Sequence, residues 1–301
     1  MTKTIEASTP RCVWPAGAEL GEGVMWSPGE QTLYWVDILG RQLHRLHPAS
    51  GARTSWLFDE EISAIAEVAD RPGRLVVTLR RGFAEFDTLR PGAVAQYRHQ
   101  PAEEPPGNRF NDGKCDAAGH FWGGSMDFDC VAPTGALYRY GADGRCVRHA
   151  LNFAVTNGPT WSLDGRTIYV NDTVRGRVNA YDVDAASGAL SNHRLFLQFA
   201  EGDGFPDGMT TDAAGRLWIA HWGGACVSCH DPRSGAELAR IALPTSHITN
   251  IAFGGSQLRT MYVSSARFGL TPEQLKAEPL AGGLFAIDTD TAGLPANRFG
   301  G

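Results

Sequence analysis

Six positions are spaced so that their side chains could gather round one axis: Glu22, Ala64, Asn111, Asn157, Asp207 and Asn250. Each lies ten or eleven residues before an apolar residue that opens a recurring segment, at Leu33, Leu75, Phe121, Ile168, Leu217 and Met261. All but Ala64 are acids or amides, types that build no apolar core, because a buried polar group without a partner is costly. Glu22, Asn157 and Asp207 together offer oxygen donors with two negative charges, which suits a hard divalent cation. The competing reading is turn chemistry, since Asn157-Gly158, Asp207-Gly208 and Asn111-Asp112-Gly113 are all turn sequences. The shared register favours ligation, and Glu22 within Gly21-Glu22-Gly23 is no usual turn residue.

The elements that must position these residues are the recurring segments themselves: TLYWVD, RLVVTL, HFWGGS, TIYVND, RLWIAH and TMYVSS. They return at intervals of roughly 40 to 50 residues, each rich in aromatic and β-branched residues and most preceded by a turn such as Asp-Ala-Ala-Gly or Leu-Asp-Gly. No helical period separates them. The expected fold is all-β: a six-bladed β-propeller of four-stranded antiparallel blades, with the first strand of each blade innermost. The sixth blade has strands near 249–253, 260–264 and 283–288 and then runs out of chain. An N-terminal strand at Arg11–Pro15 is expected to complete it, closing the ring and hiding two sheet edges. One short helix is expected over Thr271–Ala277, with Thr as N-cap and Pro at the first helical position.

The repeats run from about residue 18 to 290 without a linker, so residues 1–301 are read as one domain. A net charge of −6 argues against a nucleic-acid partner. No apolar run approaches the ~20 residues needed to cross a membrane, and the N-terminus MTKTIEASTPRCVW has no signal-peptide core. A cytoplasmic location with mostly reduced cysteines is the expectation. Oligomeric state is open.

Because the second strand returns to the face where the first begins, the loop after it shares the axial site's face. That register places Asp37, Asp127, Asp129, Asp172, Arg175, His221, Trp222 and Arg267 around the mouth, although for any one of them a solvated loop residue is the commoner case.

Five separated motifs also carry a family resemblance: Gly21-Glu-Gly-Val-Met-Trp26, Arg109-Phe-Asn-Asp-Gly-Lys114, Thr156-Asn-Gly-Pro159, Phe205-Pro-Asp-Gly-Met209 and Ala281-Gly-Gly-Leu-Phe285. Together they resemble the SMP-30/gluconolactonase/regucalcin family across essentially the whole chain. Similarity is greatest to the bacterial pentono- and hexonolactone hydrolases, partly through His221-Trp-Gly-Gly224. The resemblance implies a propeller with one divalent metal that hydrolyses a sugar aldono-1,4- or 1,5-lactone to the aldonic acid in oxidative sugar catabolism. It puts the metal on Glu22, Asn157 and Asp207, and matches Arg109 and Asn111 to substrate contacts. Asp129 stands where some members have a Glu that touches substrate, and His221 is read as a further substrate contact. Arg109 would orient the sugar or stabilise developing charge, and Asp207 would double as ligand and proton acceptor. Ca²⁺, Mg²⁺, Mn²⁺, Zn²⁺ and Fe²⁺ all remain open. Two alternatives stay with it: a metal-dependent hydrolase of another ester or phosphotriester, and a non-catalytic calcium-binding protein.

Other signals point elsewhere and fall short. Cys226-Val-Ser-Cys229-His230 matches the motif for haem attachment, but register puts His230 inside a third strand. No Gly-x-Ser-x-Gly elbow supports a serine nucleophile.

Overall fold

A computed structural model describes residues 5–300. Its strands form six four-stranded antiparallel sheets. Five follow chain order from inside outward, beginning at Gly21–Ser27, Ile62–Glu67, Asn108–Cys115, Thr156–Trp161 and Phe205–Thr211. In the sixth, Ile248–Gly254, Thr260–Ser265 and Leu284–Asp288 are completed by Arg11–Trp14, which pairs Cys12 with Phe285 and Trp14 with Leu284. The chain is therefore a six-bladed propeller closed by its N-terminal strand. Closure reaches further than expected, since Ala7 bridges Thr289 and the Ser8 N–H donates to the Asp288 carbonyl at 2.8 Å. The helix spans Pro272–Ala277 with Thr271 as N-cap, and Gln274 completes a capping box.

The hydrophobic core is divided among the interfaces between blades. Blades 4 and 5 meet through Tyr169, Val178, Met209, Leu217 and Ile219. Blades 5 and 6 meet through Trp218, Ala220, Val227, Ile251 and Met261. Consecutive residues Leu217 to Ala220 therefore face opposite neighbours, and both faces of the strand are buried. This accounts for the unbroken apolar runs in the second strands, where a sheet with one wet face would alternate.

The turns before those strands are tied down by aspartate. Asp116 accepts the backbone N–H of Ala118 (3.0 Å) and His120 (2.9 Å) and the indole N–H of Trp122 (2.8 Å). Asp212 does the same in blade 5 with Ala214 (2.9 Å), Arg216 (3.0 Å) and Trp218 (2.9 Å). A turn of this kind fixes both the hairpin and the tryptophan that packs between blades.

Beyond the sixth blade the chain crosses the end of the propeller opposite the site. Ala213 donates to the Ala292 carbonyl, Asn297 Nδ2 donates to the Cys115 carbonyl, and Phe299 pairs with Val68. This strap joins blades 5, 3 and 2. All six cysteines are free. Among the described residues no helix is long and apolar enough to cross a membrane.

Candidate metal and substrate site

Every inner strand carries a register break where it nears the axis. In blades 1, 3, 4, 5 and 6, two residues oppose one on the neighbouring strand, the geometry of a β-bulge, which re-aims side chains at the axis. Glu22 and Asn157 stand immediately before their bulges, while Asn111, Asp112, Asp207 and Asn250 lie within theirs. The crowding is tight enough to exclude side chains beside the polar residues. A Cβ on Gly208 would come within 2.5 Å of Asn250 Nδ2, and Gly158 has φ +46° with Met209 N 2.8 Å from where its Cβ would be. Hence the recurring acid-Gly and Asn-Gly pairs are a requirement of convergence on the axis rather than solvent-exposed turns.

The side chains so placed form one network. Asn111 Nδ2 donates to Asn157 Oδ1 at 2.7 Å and to the Thr156 carbonyl at 3.1 Å. Asn157 Nδ2 donates to Thr173 Oγ1 at 3.1 Å, which leaves Asn157 Oδ1 facing inward with one acceptor position still free. Asn250 Nδ2 bridges Glu22 Oε2 (2.9 Å) and Asp112 Oδ2 (3.2 Å). Arg109 Nη1 donates to Asn111 Oδ1 (2.7 Å) and the Phe110 carbonyl (3.0 Å). Its guanidinium lies 6.0 Å from the Phe128 ring and has no ion-pair partner among the described residues. The backbone of the Asp207 strand is held by Asn171 Nδ2 on the Asp207 carbonyl and by Thr173 Oγ1 on the Pro206 carbonyl at 2.8 Å.

Three carboxylates in this network are nearly inaccessible: Glu22 at 3%, Asp112 at 2% and Asp207 at 5% exposure. Burial, with Asp112 as a second cause, pushes Glu22 up to about 7. Burial and the nearby Glu22 and Asp112 charges hold Asp207 well above the usual carboxylate range. Asp207 Oδ1 is buried without a hydrogen-bond partner. Lys114 and Arg109 bring two positive charges against three carboxylates, and an unpartnered carboxylate oxygen on the axis is the position a further cation would fill. Glu22, Asn157 and Asp207 thus fit a divalent metal. Among the described residues no three His, Cys, Asp or Glu side chains form a cage, so the site needs the Asn157 carboxamide beside its acids.

The remaining candidates divide. Asp129 lies in an exposed loop after the second strand of blade 3, beside Phe128. Trp222 is half-buried, stacks on His247 with ring centroids 4.0 Å apart and lies near the exposed Phe268. Arg267 is exposed, and Arg175 pairs with Asp172 at 2.9 Å. Asp37 and Asp127 cap local backbone, Asp37 through Leu20 and Gly40 N–H groups and Asp127 through Val131 and Ala132. His221 does not reach the mouth. It is fully buried between blades 4 and 5, with Nε2 2.6 Å from Ser228 Oγ and its ring edge-on to Phe199, so it has no surface for substrate.

Sequence reasoning missed Asp112 and Lys114. The register picks Asn111 for this strand and leaves Asp112 only to the competing turn reading with Gly113, yet its carboxylate joins the network, and Lys114 Nζ donates to the Met209 carbonyl. The available signal was charge density: Arg109, Asp112 and Lys114 crowd one inner strand. A cavity of about 440 Å³ is lined in part by this pair. Its lining runs from Asp112, Lys114 and Asn250 to the Ser162–Gly165 turn and the strap at 294–297. Volume and chemistry therefore fall at opposite ends of the channel, and the unpartnered carboxylate marks the chemical end.

Residues 20–267 match the family described as SMP-30/Gluconolactonase/LRE-like region. A Bacillus subtilis protein named as a sugar lactone lactonase, YvrE, is 34% identical over 94% of this chain and 96% of its own. An L-arabinolactonase of Azospirillum brasilense is 37% identical over 94% of this chain and 92% of its own. The solved structure of a calcium-binding protein, regucalcin, from Agrobacterium tumefaciens superposes with a TM-score of 0.91 at 28% identity, covering 99% of both chains.

Proposed function

The chain belongs to the SMP-30/gluconolactonase/LRE-like family, and on that premise we propose that it hydrolyses a sugar aldonolactone with a divalent cation held by Glu22, Asn157 and Asp207. The observation that carries the reading is the buried, unpartnered Asp207 Oδ1 within a cluster of carboxylates. A cation bound there would act as a Lewis acid on the lactone carbonyl and supply an acidified water.

The chain's own residues account for the rest. Arg109 has donors beyond those used on Asn111 and Phe110, and its charge is not consumed by a carboxylate. It is suited to stabilise negative charge developing on the lactone oxygens. The Asn111 Nδ2 group is committed to Asn157, so Asn111 serves first to hold that ligand's carboxamide and second to accept from substrate hydroxyls. Asp207 Oδ1, buried without a hydrogen-bond partner, would serve as the proton acceptor. Asp129, exposed after the second strand of blade 3, would accept from a hydroxyl of the bound sugar. Sugar lactones are small polyols, and these groups favour them over the apolar substrates of aryl esterases or phosphotriesterases. Placement in oxidative sugar catabolism follows from the substrate class.

The test is turnover of pentono- and hexonolactones, γ and δ, by metal-stripped protein with Ca²⁺, Mg²⁺, Mn²⁺, Zn²⁺ or Fe²⁺ restored singly. Metal-dependent opening of at least one aldonolactone is expected. Cation binding without turnover of any of them would favour the second reading, a non-catalytic calcium-binding protein, which the similarity to a protein described as calcium-binding supports.

A further inference from the structure

Each of the three strands that carry the metal ligands is tied to the inner strand of blade 3. The Asp207 strand is tied through its Met209 carbonyl, which accepts from Lys114 Nζ. The Asn157 strand is tied through the Gly158 N–H, which donates to Asp112 Oδ2 at 3.0 Å, and through the Asn111 amide. The Glu22 side chain is tied through Asn250 Nδ2, which bridges it to the same Asp112 oxygen. Asp112 is therefore a hub, fixed in its own strand by the Gly113 N–H at 2.7 Å. Its charged neighbour is Lys114, whose ammonium is favoured most by the Asp112 charge and next by that of Glu22. Blade 2 contributes Ala64 at the equivalent place and makes no polar tie.

Lys114 has no role in the hydrolytic reading. Lys114 lies further along its strand from the mouth than Asp112 and lines the cavity, and its ammonium is engaged by the Met209 carbonyl. We propose that Lys114 is the positioning residue of the axial site, an internal cation that fixes the Asp207-bearing strand against the Asp112 hub. The two groups reach across the channel from one strand: the Asp112 carboxylate accepts from the Gly158 N–H and Asn250 Nδ2, and the ammonium donates to the Met209 carbonyl. The ammonium pins blade 5 while the carboxylate pins blades 4 and 6. Without it, the Asp207 bulge keeps its Asn171 and Thr173 ties to blade 4 but loses its tie to blade 3, and with it a constraint on its height relative to Glu22 and Asn157.

A purely electrostatic role makes the opposite forecast. Removing a positive charge from beside a cation site would tighten cation binding by relieving repulsion. A positioning role predicts weaker binding, because misplacing one ligand typically costs on the order of 10- to 100-fold in metal affinity.

The proposal rests on the cation site assigned above only in one arm of its test. In the first arm, hydrogen exchange is followed in wild-type and Lys114→Met protein without added metal. The peptide covering 205–211 is expected to exchange at least fivefold faster in the variant, with the second strand of blade 3 unchanged. In the second arm, Mn²⁺ and Ca²⁺ affinities are measured calorimetrically, and a loss of at least tenfold is expected. Should Lys114→Met fail to fold, Lys114→Gln, which also lacks the charge and the reach, carries the same expectations. Unchanged exchange at 205–211, exchange raised equally in all blades, or tighter metal binding would each overturn the proposal. A wild-type protein that binds no divalent cation while the first arm succeeds would instead overturn the function proposed above and leave the strand-pinning role standing.

Discussion

Two of the buried polar clusters among the described residues include a residue that the sequence marks as a candidate for the site. On the axis, Glu22, Asn111, Asp112, Asn157, Asp207 and Asn250 arrive from five blades and bring three carboxylates together. Inside blade 5, His221, Ser228 and His230 come from two adjacent strands of one sheet, linked at 2.6 and 2.8 Å, and end on the Gly235 carbonyl at 3.0 Å. Burial acts on both and with opposite results. It pushes His221 down to about 4, so the ring stays neutral and needs no counter-charge. It pushes Glu22 up and leaves the axial acids short of positive charge. Neutral groups linked across neighbouring strands stiffen a sheet, and the ring nitrogen left without a partner there, His221 Nδ1, carries no charge. Charged groups gathered from separate blades, with an oxygen left over, have a use only when something else arrives.

The largest effect expected is on the axis. Asp207→Ala and Glu22→Gln should each lower metal-dependent lactone hydrolysis by about 10³-fold with the propeller's circular dichroism retained. His221→Phe should leave kcat/KM within about threefold of wild type. Steady-state kinetics on the preferred lactone decide this, and a His221 variant as impaired as the acids would erase the distinction between the clusters.

Next in size is Arg109→Met. It should reduce kcat/KM by about 10²-fold while metal affinity stays near wild type. A guanidinium that only orients hydroxyls would instead raise KM with kcat little changed. Parallel loss of metal binding would move Arg109 into the ligand scaffold.

Stability at the ring's seam should respond independently of the site. Trp14 packs edge-on to Trp35 at 5.5 Å and to His44 at 5.0 Å. Deleting residues 1–15 removes that contact and exposes two sheet edges, and a fall in Tm of about 10 °C is expected. Deleting residues 1–8 removes the pairing of Glu6, Ala7 and Ser8 with 288–290 and the packing of Ile5, and should cost a few degrees at most. Calorimetry showing no change for the longer deletion would mean the seam does not depend on this strand.

The smallest effect concerns acid. His221 and His44 both titrate near 4 in the folded protein because burial disfavours their charged forms, against an ordinary value of 6.5. The folded state then binds fewer protons than the unfolded one between those values. The stability they contribute is complete above pH 6.5 and is lost as pH falls toward 4, by about 1.4 kcal/mol per pKa unit for each group. His221→Phe should flatten denaturation midpoints across that window, and an unaltered pH profile would show that His221 is charged when folded.

The fold was legible because the repeat anchors are buried on both faces and could not drift without exposing Leu217 or Trp218. The axial acids were legible because convergence forces Gly behind Glu22, Asn157 and Asp207. Two things were not. Strand register assigns His221 to a level but cannot tell the mouth from the gap between blades, since both faces of the second strand are interior. A bulge admits two residues where register counts one, so Asn111 stood for its strand and hid Asp112 beside it. Lys114 acts across the channel on Met209, a contact with no local pattern in the sequence.

The central claim is that the charge left over on the axis is where a cation binds. The most direct measurement is an anomalous difference map from a crystal soaked in a manganese salt. One peak is predicted among the Glu22 carboxylate, Asn157 Oδ1 and Asp207 Oδ1, at oxygen distances of about 2.0 to 2.6 Å. A map with no peak there, or with its strongest peak in the cavity beyond Lys114, would contradict the account.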